Sequence, residues 1–325
     1  IVEVLEQAAR VCAQTHTRIF KLWYNCQSLR KEKLRMNFDE KLVEILKGKF
    51  DYEQSPICAT PSGNYFWYRK RQEVIKLFKR NLHLFDLNQT EKSAPYLFVD
   101  VGCGESIDLF LIRQFLEKHS SGWRLIGLEA EPTALEVANL KKKYYNVDNV
   151  DIIACDVTKN LPFKDGEVNV VYCSEVIEHL IDPELFIKEI KRITKPNGYL
   201  IITTPNEPNV FQGAYWSRNR LDRMRAEMQA MKEQSQKVNI ETENVFLHGH
   251  VSLKTISEWD NTLEKIGFKI VDRGRGAVTY GATPFYDNAW ILGGRFLLEA
   301  FLDLLPRQWV CNLSDQLIGL YRLEK

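Results

Sequence analysis

Val99-Asp100-Val101-Gly102-Cys103-Gly104 sets a carboxylate and two glycines at the end of a short apolar run. Glycines there let the chain turn tightly and bring its backbone close to a ligand. The helix that follows offers free N–H groups at its start. A phosphate loop gains little from Asp100, whereas a cationic ligand gains an opposite charge. The dinucleotide fingerprint asks for a third glycine three residues after Gly104, and position 107 is Ile. The loop therefore argues for a small cationic ligand over NAD. Glu129 and Asp156 each close a further apolar run, where exposed strand-end carboxylates are common.

A second constellation is Glu175-Val-Ile-Glu178-His179, with His248 and His250 downstream. An imidazole suits proton removal from a hydroxyl near neutral pH. Glu175, Glu178, His179 and His250 also form a donor set for Mg²⁺ or, by ligand softness, for Mn²⁺ or Fe²⁺. In a third reading the histidines are simply hydrogen-bonded within loops. At this level all three stay open.

The elements that must position these groups read as alternating strands and helices. Tyr96–Val101, Trp123–Leu128, Val150–Cys155, Val168–Cys173 and Tyr199–Thr203 read as strands, with helices over Ile107–Lys118, Thr133–Tyr145 and Glu184–Thr194. Pro196-Asn197-Gly198 reads as a turn. Residues 1–50 read as helical, breakers cluster at Ser55-Pro56 and Pro61–Asn64, and another helix runs to Leu82. Beyond Asn206 a long polar connection is expected to act as a lid. A helix over Ser257–Ile266, a strand over Phe268–Asp272, a helix over 285–305 and a last strand over Leu317–Leu323 follow. The spacing predicts an α/β fold: a doubly wound, mostly parallel seven-stranded sheet. Residues 1–81 form an N-terminal helical extension, 82–280 the core with an insertion at 205–250, and 281–325 a C-terminal helical segment plus last strand.

Asp-Val-Gly-Cys-Gly resembles the first motif of class I S-adenosylmethionine-dependent methyltransferases, and the match continues in order. Leu125–Glu129 resembles their second motif, Ile153–Val157 the third, and Leu161-Pro162-Phe163 with Val168–Cys173 the fourth. Ser174–Leu180 resembles the segment after the fourth strand, and Lys195–Leu200 the turn before the fifth. The resemblance, to a small-molecule branch of the type-11 kind, covers roughly residues 95–275. It implies a Rossmann-like methyltransferase fold with S-adenosylmethionine held by Asp100, Gly102, Gly104, Glu129, Asp156, Val157 and Ser174. Glu129 would take the ribose hydroxyls and Asp156 the adenine amino group. It makes His179 and His250 the catalytic candidates. Glu-x-x-Glu-His plus a distant His is also similar to the metal site of small-RNA 3′-terminal 2′-O-methyltransferases, but the "His-x-Phe-Glu-Trp" surroundings are replaced by His250-Val251-Ser252-Leu253. No metal is assigned on that ground, with Glu175, Glu178, His179 and His250 as the alternative. One departure is Ser106, where many members carry a third glycine.

Around the acceptor, Tyr65, Trp67 and Tyr68 either cap a pocket or pack helices onto the sheet, and Arg69–Arg71 reads as a solvated helix face. The C-terminal aromatics Phe285, Tyr286, Trp290, Phe296, Phe301 and Trp309 read as core before acceptor pocket or dimer interface. Arg295, Glu299 and Asp303 lie four apart, in ion-pairing order along one helix face.

The bulk properties constrain the class. The 325 residues carry a formal net charge of +1, so no global field marks a nucleic-acid or membrane binder. Seven scattered cysteines without a C-x-x-C read as reduced thiols, and no apolar run is long enough to span a bilayer. A cytoplasmic enzyme is expected, methylating an oxygen of a small molecule. Metal-dependent methylation of RNA 3′ ends is the first rival, and a non-catalytic module of a larger multidomain protein the second. A homodimer stays open.

Overall fold

The computed structural model describes residues 61–85, 95–119, 122–206, 226, 230, 233, 250–278 and 289–324. The expectations for residues 1–50, and for nearly all of the insertion, lie outside the described residues, as do Phe285 and Tyr286.

The described elements are α1 (Pro61–Arg80), β1 (Tyr96–Val101), α2 (Ile107–Glu117), β2 (Trp123–Glu129), α3 (Pro132–Tyr144), β3 (Val150–Ala154), β4 (Val168–Ser174), α4 (Pro183–Ile193), β5 (Thr194–Pro205), α5 (Ile256–Ile266), β6 (Phe268–Arg273), α6 (Ala289–Leu304), α7 (Arg307–Val310) and β7 (Gln316–Leu323). The strands form one sheet in the order β3-β2-β1-β4-β5-β7-β6. β1 to β5 run parallel, whereas β7 is antiparallel to both β5 and β6.

Successive strand side chains point to opposite faces, and the strands are apolar on both. Val99, Ile126, Val171 and Ile202 pack with α4 and α5 on one side. Phe98, Leu125, Val170, Tyr172 and Ile201 pack with α1 and α2 on the other. Helices on both faces explain why these strands read as nearly continuous apolar runs. The helix ends follow local chemistry. Pro132 and Pro183 occupy first-turn positions behind the caps Glu131 and Asp182. Thr255 and Glu258 form a reciprocal capping box at α5, and Gly267 closes that helix at φ 116°.

Three sequence expectations change. Pro61–Asn64 opens α1 rather than breaking it, because proline fits the first helical turn. β5 begins at Thr194, before the expected turn, with Asn197 at φ 65° and a register shift between Val168 and Val170. Glu299 and Asp303 ion-pair outside their own helix, Glu299 with Arg275 and Asp303 with both Arg275 and Arg69. α6 turns that charged face inward, so Trp290, Leu297, Phe301 and Leu304, with Trp309 beyond, are exposed instead of forming core. Among the described residues no helix is long and apolar enough to cross a membrane.

Candidate active site

β1 ends in the loop Gly102–Ser106, at the point where the sheet order reverses between β1 and β4. In open α/β sheets this is where a crevice opens at the carboxyl ends of the strands. Gly102 at φ 76° and Gly104 at φ 52° adopt left-handed backbone that side chains resist. A Cβ on Gly102 would lie 2.5 Å from Val176 Cγ2, whereas one on Gly104 would meet nothing within 4 Å. The loop is therefore packed on one side and open on the other. Ser106, the departure from a third glycine, also holds φ 61°.

Asp100 is buried at the end of β1, and its Oδ2 has no hydrogen-bond partner. Burial, then the charge of Asp108, pushes its carboxyl well above the usual carboxylate range. A buried acid with an orphaned oxygen beside an open glycine loop is what a cationic ligand would satisfy. Glu129, ending β2, accepts from the Gly104 amide through Oε2 and from the Ala130 and Glu131 amides through Oε1, each at 2.8 Å. Asp156, after β3, is exposed, and its Oδ1 takes the Thr158 amide at 3.0 Å and hydroxyl at 2.6 Å. Val157 is buried beside it. These features fit the S-adenosylmethionine set that the motifs imply.

At the end of β4, a polarised chain crosses the sheet. Lys70 Nζ of α1 donates to Ser174 Oγ at 2.8 Å, and Ser174 Oγ lies 2.8 Å from Thr203 Oγ1. Thr203 Oγ1 gives its hydrogen to Glu175 Oε1 at 2.7 Å, so Ser174 is the donor to Thr203. Gln316 Nε2 reaches the same Glu175 oxygen at 3.1 Å. Glu175 itself sits at φ 56°, a costly conformation for a non-glycine residue.

Glu178 lies in the turn Ile177–His179 and is fully buried, accepting from Thr204 Oγ1 at 2.9 Å through Oε2 while Oε1 has no hydrogen-bond partner. Burial, then the charge of Glu175, pushes its carboxyl well up. Val251 and Ser252 donate their amides to the Glu178 carbonyl, which docks His250 beside the turn. The His179 and His250 rings stand edge to face with centroids 5.0 Å apart. The residue at 250 is exposed overall, but desolvation of its ring, then the charge of His179, pushes its imidazole down to about 4.

Of the four candidate metal ligands, Glu178, His179 and His250 present ligand atoms within 4.8 Å of one another. Glu175 does not join them. Its left-handed backbone turns its carboxylate to Thr203 and Gln316.

Sequence reasoning missed the partners supplied from afar. The Arg69–Arg71 stretch is not a solvated face: Arg69 and Lys70 are buried, Arg69 pairs with Asp303, and Lys70 and Arg71 both reach Asp108. Tyr172 also donates to Asp108, and these partners hold the Asp108 carboxyl well below its usual range despite burial. Tyr68 is exposed, and Trp67 packs edge-on to Phe66 at 5.3 Å. Nothing linear marks Lys70 or Gln316, because both enter through tertiary packing.

Residues 93–267 match a protein family described as a methyltransferase domain. Over 303 residues the chain is 25% identical to the sterol 4-C-methyltransferase strm-1 of Caenorhabditis elegans, covering 85% of this chain and 82% of that one. A probable S-adenosylmethionine-dependent methyltransferase of Mycolicibacterium smegmatis is 31% identical over 141 residues, 43% of this chain and 46% of its own. The ubiquinone biosynthesis O-methyltransferase of Acinetobacter baumannii is 28% identical over 108 residues, 33% of this chain and 43% of its own. The chain spans about half the length of several curated relatives it matches.

Proposed function

The chain belongs to the class I S-adenosylmethionine-dependent methyltransferase family, and on that premise we propose that it methylates a hydroxyl oxygen of a small molecule. The observation that carries the cofactor is the crevice formed by Asp100, with its unpartnered oxygen, the open face of Gly104, and Glu129. Asp100 faces the positive end of the cofactor, Glu129 the ribose, and Asp156 with Val157 the adenine. When bound, S-adenosylmethionine supplies a methyl group on a positively charged sulfur. The chain's part is to bring the acceptor into line with it.

The names of the relatives include both a carbon and an oxygen acceptor. Oxygen is favoured here by His250, which is unprotonated at neutral pH and lies against His179. A neutral imidazole can take a hydroxyl proton as the oxygen attacks. The net charge of +1 favours a small acceptor over a nucleic acid. Calorimetric titration with S-adenosylhomocysteine and with NAD tests the cofactor, and only the first should bind. Binding of NAD alone would overturn the reading.

A second reading has one observation in its favour. Glu178, His179 and His250 lie together, with Glu178 Oε1 buried, without a hydrogen-bond partner and 3.9 Å from His179 Nε2. One carboxylate and two imidazoles fit a divalent ion and, with it, the 2′-hydroxyl at an RNA 3′ end as acceptor. Metal content of the purified protein and methylation with and without chelator separate the two. Bound metal with chelator-sensitive RNA methylation would replace the small-molecule reading.

A further inference from the structure

We infer that α6 and α7 form a membrane-docking surface, an apolar stripe that lies flat on a bilayer with anionic headgroups. The inference stands on this segment alone and depends on neither the cofactor nor the acceptor.

The stripe follows from the way α6 is turned. Its three charged residues, Arg295, Glu299 and Asp303, are four apart on one side. Arg295 and Glu299 are buried, and Asp303 is held by Arg275 and by Arg69 of α1. Trp290, Leu297, Phe301 and Leu304 recur on the other side at helical spacing. All four are exposed, Leu304 by 73%, and no charged residue of α6 shares their face. Trp309 on α7 extends the row and is 67% exposed. A helix on a water-facing surface has the reverse arrangement, charges out and apolar side chains in. Single exposed apolar side chains are ordinary, whereas a contiguous row marks an interaction surface.

Two features name the occupant. The first is the pair of tryptophans, Trp290 at one end of the row and Trp309 at the other. An indole suits the boundary between headgroups and acyl chains, where one side is apolar and the other wet. The second is charge. Arg307, between Leu304 and Trp309, shares the single carboxylate of Asp272 with Arg80 at the end of α1. Lys76 and Lys79, on the last turns of α1, are exposed as well. The described acids beside them, Glu73, Asp272 and Asp303, are each already bound by arginine or lysine. The rim of the stripe is therefore basic, although the whole chain carries only +1. Its complement is an anionic surface with an apolar interior. A second copy of the chain would bring the same cations to that rim. Among the described residues no helix can cross a bilayer, so α6 lies in the plane of the surface. Arg69 ties α6 to α1, and the next residue, Lys70, reaches Ser174, so the docked face is one helix away from the crevice.

The test floats the full chain with vesicles of phosphatidylcholine alone and of phosphatidylcholine mixed with phosphatidylglycerol. The wild type should rise with the anionic vesicles and much less with the neutral ones. Phe301→Asp with Leu304→Asp should lower partitioning onto the anionic vesicles by about tenfold or more, since two apolar side chains no longer enter the interface. Lys79→Gln with Arg307→Gln should lower it by about tenfold and remove the preference for anionic lipid. All four side chains are exposed, so thermal melts in buffer should match the wild type. As an independent readout, brominated acyl chains should quench the wild-type fluorescence more than that of Trp309→Phe. A wild type that rises with neither vesicle would overturn the inference, as would equal flotation of the Phe301→Asp, Leu304→Asp chain or equal quenching of Trp309→Phe. So would a wild-type dimer in sedimentation that this double variant splits into monomers, which gives the stripe to a second copy.

Discussion

Glu129 Oε2 lies 2.8 Å from the backbone nitrogen of Gly104, so the end of β2 holds the loop at the end of β1. The carboxylate proposed for the ribose thus also shapes the glycine turn beneath the rest of the cofactor. Glu129→Ala should weaken S-adenosylhomocysteine by about tenfold or more, since both ribose contacts and loop shape are lost. Amides of residues 102–106 should exchange faster with solvent. Calorimetry and hydrogen exchange measure the two effects. Weakened binding with unchanged exchange would limit Glu129 to ligand contact.

Asp100 has a carboxyl pushed up by burial. A raised acid contributes stability fully present below its unfolded value of 3.8 and lost as pH rises through its folded value. The ligand-free chain should therefore gain stability at neutral pH on Asp100→Asn, while affinity for S-adenosylhomocysteine falls about tenfold. Thermal melts from pH 4 to 8, with and without ligand, read both. Parallel pH profiles for variant and wild type would remove the burial argument.

His250 shows the opposite sign. Its imidazole falls from 6.5 to about 4, so the neutral form is favoured in the fold. The stability this gives is present above pH 6.5 and is lost as pH falls toward 4. His250→Gln should flatten that acid limb of a urea-denaturation series. It should also lower kcat by about a hundredfold if the imidazole accepts the hydroxyl proton, with KM little changed. Loss of the acid limb with full kcat would make His250 structural.

Lys141 Nζ and Glu105 Oε2 form a fully buried ion pair at 2.7 Å, tying α3 to the glycine loop. Removing one member leaves a buried charge, at a cost of about 3–5 kcal/mol. Lys141→Met should therefore unfold at lower urea, and Lys141→Met with Glu105→Gln should recover much of the loss. Additive losses in the double variant would contradict a direct pair.

Gly102→Ala should destabilise by about 1–3 kcal/mol, because φ 76° disfavours a side chain and Val176 blocks the new methyl. Val176→Ala in the same chain opens the space but leaves the backbone cost, so recovery should be partial. Full recovery would assign the whole effect to packing.

Most strand and helix ends were legible because their causes are local. Val168–Cys173 reads as a strand from its β-branched run, and the helices read over Glu184–Thr194 and Ser257–Ile266 start within one residue of Pro183 and Ile256, where Asp182 and Thr255 cap them. The motif residues at the ends of β1, β2 and β4 meet at the crevice because parallel strands bring those ends to one edge. What failed depended on distant packing. Glu175 and Glu178 look equivalent in the sequence, but Glu175 takes a left-handed backbone and a tight turn follows, which sends the two carboxylates to different partners. Arg69–Arg71 looks like a solvated run because two of its acidic partners, Asp108 and Asp303, lie 37 to 234 positions away, although Glu73 stands only four from Arg69. The apolar stripe of α6 reads as core because periodicity shows that a helix has two faces, not which one the molecule covers.

β7 has a consequence for the order of assembly. Among the described residues it is the last of the seven strands, yet it lies between β5 and β6. Until it arrives, β6 lacks the strand it pairs with among the described residues, and β5 lacks its neighbour on the side away from β4. Gln316, at the first position of β7, also closes the hydrogen-bonded chain that begins at Lys70 and passes through Glu175. The crevice therefore comes to completion from both directions, from a helix ahead of the first strand and from the strand made last. A chain emerging from the ribosome can form its cofactor loop early, but the polar frame behind that loop waits for the final strand.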